Sequence, residues 1–214
     1  MGLSKLFRLI LIAIGMVFLS STSLCADHPD TGINHPSGDK AISGSASGFI
    51  EKGNKVSITP DQFLDAVRNG SLAVVKAALS QGMNINSQNE AGESALHLVG
   101  DIALAEYLIA RGADVNLPDK EFGMTPIFFQ EVPITRLLVA DGADVNARSH
   151  QGNTPVIWFA YSNYLEGIRY LVSAGADIHA VNQDGKTVWD VASHFGSPEL
   201  IEYLRSIGAE KKIK

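Results

Sequence analysis

The chain has 214 residues, 45% of them hydrophobic and 19% charged, with a formal charge of −6. A net acidic chain without a basic run cannot neutralise many phosphates, which argues against nucleic acid and anionic membrane surfaces as partners. The single cysteine excludes an internal disulfide and a multi-cysteine zinc site.

Residues 1–8 carry Lys5 and Arg8 and no acid, residues 9–19 (LILIAIGMVFL) are an unbroken apolar run, and Ser20-Ser21-Thr22-Ser23 follows. A positive segment, an apolar stretch of about 7–15 residues and small residues before a cut are the parts of a secretory signal peptide. The run falls short of the roughly 20 apolar residues that a membrane-spanning helix needs. A signal over 1–26, cut after Ala26, is therefore expected, and a periplasmic or secreted location with it. The mature chain would lose Lys5, Arg8 and Cys25, carry −8, and keep no transmembrane helix. The alternative is a lipid anchor on Cys25, which Leu24 fits poorly because a small residue is wanted there. Residues 27–58 are rich in Gly, Ser, Pro and Asp, with no lasting apolar period, and are expected to form a flexible linker. His28 and His35, near Asp27 and Asp30, match no metal-ligand spacing; neither metal nor cofactor is expected.

Order is expected to begin at Thr59, which can cap a helix, with Pro60 at its first position and Gln62 completing a capping box. The chain then repeats itself. Gly82-Met83-Asn84-Ile85-Asn86 returns as Gly112-Ala113-Asp114-Val115-Asn116, Gly142-Ala143-Asp144-Val145-Asn146, Gly175-Ala176-Asp177-Ile178-His179 and Gly208-Ala209-Glu210, with glycines 30, 30, 33 and 33 apart. A second phrase interleaves with the first: Gly92-Glu93-Ser94-Ala95-Leu96-His97, Gly123-Met124-Thr125-Pro126-Ile127-Phe128, Gly152-Asn153-Thr154-Pro155-Val156-Ile157 and Gly185-Lys186-Thr187-Val188-Trp189-Asp190.

These phrases resemble the ankyrin repeat, whose period is about 33 residues and whose signature is T-P-L-H-x-A. The resemblance covers residues 59–210 and implies an all-α solenoid of about five stacked helix pairs joined by short β-turn fingers, with residues 211–214 left as a basic tail. The chemistry of the phrases agrees. Thr125-Pro126 and Thr154-Pro155 are expected to start inner helices, each threonine as the cap. The recurring glycines should end outer helices, and the Asp and Asn after them should hold the turn into each finger. Ala105, Leu108 and Ile109, like Ile168, Leu171 and Val172, mark buried stripes, and Ser197-Pro198-Glu199 opens the last outer helix. Units two and three are short: 18 steps run from Ser94 to Gly112 and 17 from Thr125 to Gly142, against 21 in units four and five. Both should be locally distorted, with Pro133 interrupting unit three and one extra residue in its finger.

Asp190, Ser193 and His194 share a helix face, but a nucleophile needs a base in reach, an orienting group behind that base and an oxyanion hole. His97 stands where the family's structural histidine stands. No catalytic residue is assigned and no enzyme is expected. The resemblance implies protein binding on a concave face of finger tips and inner helices. Mapped onto this chain, that face takes in Gln88, Glu90, Lys120, Phe122, Arg148, His150, Tyr161, Gln183, Asp184, His194 and Phe195, with Tyr161, Phe195 and Phe122 as aromatic anchors. Trp158, Phe159, Phe129 and Trp189 are expected to pack in the core. The resemblance, behind a signal, is to bacterial exported ankyrin proteins. It implies a non-catalytic module that binds another protein, or, more specifically, an inhibitor or immunity-type protein occluding a toxin, lipase or other exported enzyme. A hydrolase with an unrecognised site is the remote alternative.

Overall fold

The computed structural model describes residues 58–210. The expected signal over 1–26, all of the expected linker but Ile58, and the tail over 211–214 lie outside the described residues. Nine α-helices and one 3-10 turn make up the described chain, which has no strand beyond an isolated antiparallel bridge between Gln88 and Ser94. Five helix pairs follow one another. They are α1 (Pro60–Arg68) with α2 (Leu72–Ser80); α3 (Ala95–Leu98) with α4 (Ile102–Ala110); the 3-10 turn Pro126–Phe128 with α5 (Val132–Ala140); α6 (Pro155–Tyr161) with α7 (Leu165–Ser173); and α8 (Val188–Phe195) with α9 (Pro198–Ser206). The first member of each pair packs on the first member of the next, forming an inner row, and the second members form the outer row.

The starts and stops follow from the side chains. Thr59 Oγ1 accepts from the Gln62 amide at 3.3 Å while Gln62 Oε1 accepts from the Thr59 amide at 2.9 Å, the reciprocal box that opens α1. Each outer helix ends on a glycine in the left-handed region, as at Gly112 and Gly142 (φ 84° and 91°). The next amide reaches back five residues, Ala113 to the Leu108 carbonyl at 3.1 Å and Ala143 to that of Leu138 at 2.9 Å. One turn before these glycines stand Leu108, Leu138, Leu171 and Leu204, all fully buried. Truncating any one to alanine is worth about 2–5 kcal/mol. Buried residues from Phe63 to Ala209 form one continuous core.

Side chains tie each unit to the next. Within each turn, Asp114, Asp144 and Asp177 accept the amide two residues on at 2.8 Å. Between turns, Asn86, Asn116 and Asn146 accept the amides of Asp114, Asp144 and Asp177, also at 2.8 Å. Asn116 and Asn146 also donate to the carbonyls of Gly142 and Gly175. On the outer row, a cation of one unit lies over the ring of the next: Lys76 over Tyr107 at 5.2 Å, Arg136 over Tyr170 at 4.5 Å and Arg169 over Tyr203 at 4.2 Å. The series skips one junction, where unit two offers Glu106 and unit three Leu137 at the corresponding positions.

The shortened units are distorted as their lengths imply. The inner helix has 4 residues in unit two and is a 3-residue 3-10 turn in unit three, against 7 and 8 residues in units four and five. Two expectations are corrected. Pro133 does not interrupt unit three; it sits in the first turn of α5, where no intrahelical partner is needed for its missing amide. Thr125 and Thr154 do not cap through their side chains; both Oγ1 atoms are buried without a hydrogen-bond partner.

Candidate protein-binding surface

The fingers are built from a recurring polar residue at the base. Asn89 Oδ1 accepts from the Glu93 amide at 2.9 Å, Asp119 Oδ1 from the Phe122 and Gly123 amides at 2.6 and 3.0 Å, Ser149 Oγ from the Asn153 amide at 3.2 Å, and Asn182 Oδ1 from the Asp184 and Lys186 amides at 3.0 Å. These four residues, three places after each turn residue 86, 116, 146 and 179, carry the finger shape and had gone unassigned. Their regular recurrence was the available signal. The extra finger residue of unit three falls between Asp119 and Met124, where the bond from the Asp119 amide to the Met124 carbonyl spans five residues and those of the other fingers span four.

Adjacent fingers are then stitched edge to edge. The Lys120 amide donates to the Ala91 carbonyl at 2.9 Å, His150 to Phe122 at 2.6 Å and Gln183 to Gln151 at 3.0 Å. The approach is close enough to demand glycine. A Cβ on Gly92 would lie 2.3 Å from the Lys120 amide nitrogen, and one on Gly123 would lie 2.4 Å from the His150 ring. Several predicted contact residues are spent on this stitching. Gln88 donates to the Pro118 carbonyl at 2.9 Å, Arg148 to that of Val181 at 2.8 Å, and Gln183 to that of His150 at 2.8 Å. Glu90, Lys120, His150, Asp184 and His194 are exposed, and Phe122 is half-buried against the core.

The inner row supplies an aromatic ledge. Tyr161 at the end of α6 meets Phe195 at the end of α8 with ring centroids 5.7 Å apart, and Trp158 meets Tyr161 edge-on at 6.4 Å. Phe195 is 38% exposed, and Trp158 and Tyr161 are half-buried. Burial first, and the Asp184 carboxylate second, push the Tyr161 phenol above its ordinary pKa, while a hydrogen bond with Asn182 opposes them. The phenol therefore stays neutral and lies beside the finger of unit five. Trp158, expected in the core, joins this ledge. Phe159 is buried as expected, and Phe129 and Trp189 are half-buried, the former tilted against His97 at 5.9 Å and the latter beneath Arg205.

The side chains that invited a catalytic reading bond to nearby groups. Ser193 Oγ donates to the Trp189 carbonyl at 2.8 Å, His194 Nδ1 lies 2.8 Å from the Asp190 carbonyl, and Asp190 Oδ2 accepts from the Thr187 amide and hydroxyl at 2.9 Å. Asp190 therefore serves as the capping partner of α8. His97 is buried, its Nδ1 accepting from the Ser94 amide at 3.0 Å, so that Nε2 carries the proton to the Met124 carbonyl at 3.0 Å. It joins unit two to unit three. Among the described residues no cluster of three metal-ligating side chains occurs, and no helix is long and apolar enough to cross a membrane.

Stacked helix pairs, forward-reaching turn residues and stitched fingers define a repeat solenoid with one continuous finger and inner-helix face. An ankyrin repeats model in three copies matches residues 128–214, and a single ankyrin repeat matches residues 91–120. Together these matches span more than half of the sequence, and the chain belongs to the ankyrin repeat family. Members of that family are in general non-catalytic protein-interaction modules. Among curated proteins, none matches the chain. The helix pairs continue beyond the matched residues to unit one, whose capping box and buried Phe63, Leu64 and Val67 close the N-terminal end of the stack.

Proposed function

We propose that this protein is an exported, non-catalytic binding module that acts in the periplasm by holding another protein against the concave face of units four and five. The carrying observation is the Trp158–Tyr161–Phe195 ledge, a run of rings partly open to solvent beside the exposed fingers. Aromatic side chains of this kind bring large contact area at small entropic cost and dominate binding energetics. Export is supported by the basic, apolar and small-residue segments over 1–26.

The test is affinity capture from periplasmic extract with the mature chain, followed by titration of the captured protein against variants. Tyr161→Ala with Phe195→Ala is expected to lower Tm only slightly and to weaken binding about tenfold or more, a loss of about 1.4 kcal/mol. Glu106→Ala with Glu202→Ala, on the outer row, is expected to leave both unchanged. The opposite pattern places the site on the convex side.

A further inference from the structure

Rings elsewhere in the stack show what covers aromatic faces in this molecule. Tyr107, Tyr170, Tyr203 and Trp189 each lie beneath an Arg or Lys of the chain itself, at 4.2–5.7 Å. Among the described residues no such cation lies over Trp158 or Tyr161. The charge around the ledge points the same way. Residues 58–210 carry nine Lys and Arg against nineteen Asp and Glu, a balance of −10. The finger carboxylates of Glu90, Glu121 and Asp184 are exposed, and the ion pairs among the described residues, Arg68–Asp65 and Arg205–Glu210, leave all three out. Of the finger cations, Arg148 is committed to the carbonyls of Gly152 and Val181, while Lys120 is exposed beside Glu121 and Lys186 is half-buried two residues from Asp184.

A half-buried ring pair with a carboxylate at its rim is a site for a guanidinium or ammonium group. The ring quadrupole attracts the cation from one side and the carboxylate supplies its counter-charge. We propose that the ledge takes an arginine or lysine of a basic partner segment, its cation over the Tyr161 and Trp158 rings and facing Asp184. Glu121 and Glu90 meet further cations of the same segment along the fingers. This rests on the concave face being the binding face and adds the chemistry of what it binds.

The probe is an eight-residue peptide of alternating arginine and leucine, titrated calorimetrically into the full chain. Its counterparts replace arginine with citrulline, which keeps the shape and removes the charge, and with glutamate. The arginine peptide is expected to bind about tenfold more tightly than the citrulline one, and the glutamate peptide not at all. Asp184→Asn and Tyr161→Leu should each weaken the arginine peptide about fivefold, and Glu106→Gln on the outer row should not. Asp184 is exposed, so its variant reports even where the tyrosine variant is destabilised. Equal binding of arginine and citrulline peptides, no binding of the arginine peptide, or equal losses for Asp184→Asn and Glu106→Gln overturns the inference. If the captured protein still depends on Tyr161 and Phe195 in those cases, the concave reading stands alone; if it ignores them, both fall.

Discussion

Among the inner helices, the residue at the start is a hydroxyl in every unit, yet its fate divides. Thr59, Ser94 and Thr187 are engaged, and each has a polar residue three places on: Gln62, His97 and Asp190. Thr125 and Thr154 face Phe128 and Ile157 instead, both buried, and their hydroxyls have no partner. A threonine before proline is therefore legible in sequence as a helix start but not as a satisfied cap; the side chain three places on decides whether the hydroxyl is held. Thr154→Val should remove an unsatisfied polar atom at no loss of shape, leaving stability unchanged or raising it by up to about 1 kcal/mol. Thr187→Val should lower it by about 1 kcal/mol, because the Asp190 amide loses its acceptor and the Asp190 carboxylate one of its donors. Urea midpoints of the two variants check the contrast, and equal losses would contradict it.

Short inner helices leave backbone groups that a longer helix would have paired. Gln130 Nε2 donates to the Leu96 carbonyl at 2.8 Å, at the truncated end of α3 one unit back. Thr135 Oγ1 donates to the Gln130 carbonyl at 2.9 Å, and the Val132 amide donates to the Tyr164 hydroxyl of the following unit at 3.1 Å. Counting steps between the repeated phrases was enough to expect the truncation, because a helical unit of fixed geometry cannot lose three or four residues unchanged. It could not show that the Gln130 and Val132 bonds reach the units before and after, since those partners lie 34 and 32 residues away and obey no repeat pattern. Pro133 was misread for a related reason: with the inner helix shortened, the outer helix starts earlier and proline falls in its first turn. Gln130 is 6% exposed, so Gln130→Leu keeps the volume and strands the Leu96 carbonyl. A loss of about 1–3 kcal/mol in chemical denaturation is expected.

At the scale of the stack, each unit is stable mainly through its neighbours. Ending the chain before Val181 removes α8 and α9 and bares the face of unit four that they cover. Nearest-neighbour coupling predicts a loss of about 3 kcal/mol or more and a broader thermal transition. A truncated chain melting as sharply and as high as the intact one would contradict the five-unit stack. The stack itself was readable because glycines, turn residues and leucines recur at the helical and repeat periods. The surface was less so. Gln88, Arg148 and Gln183 look like variable surface residues in sequence, yet each is bonded to the next or preceding finger, because exposure in one unit says nothing about the unit beside it. Trp158 is expected in the core because it lies near a core position of the repeat, yet it is half-buried beside Tyr161, one turn further along the same helix.

The turn asparagines all reach forward. Asn86, Asn116 and Asn146 each offer an acceptor to the backbone of the unit that follows, and His179, in the corresponding place, offers no amide to the last turn. Side-chain hydrogen bonds to the next unit or beyond join residues only 26 to 34 apart. The search for native partners is thus short at every stage, which favours rapid folding over slow rearrangement. A chain that emerges amino end first meets, at each new unit, a predecessor already holding the groups that shape its turn. Folding then proceeds as a directed polymerisation along a single molecule, templated from Asn86 onward and ended by the absence of an amide at His179.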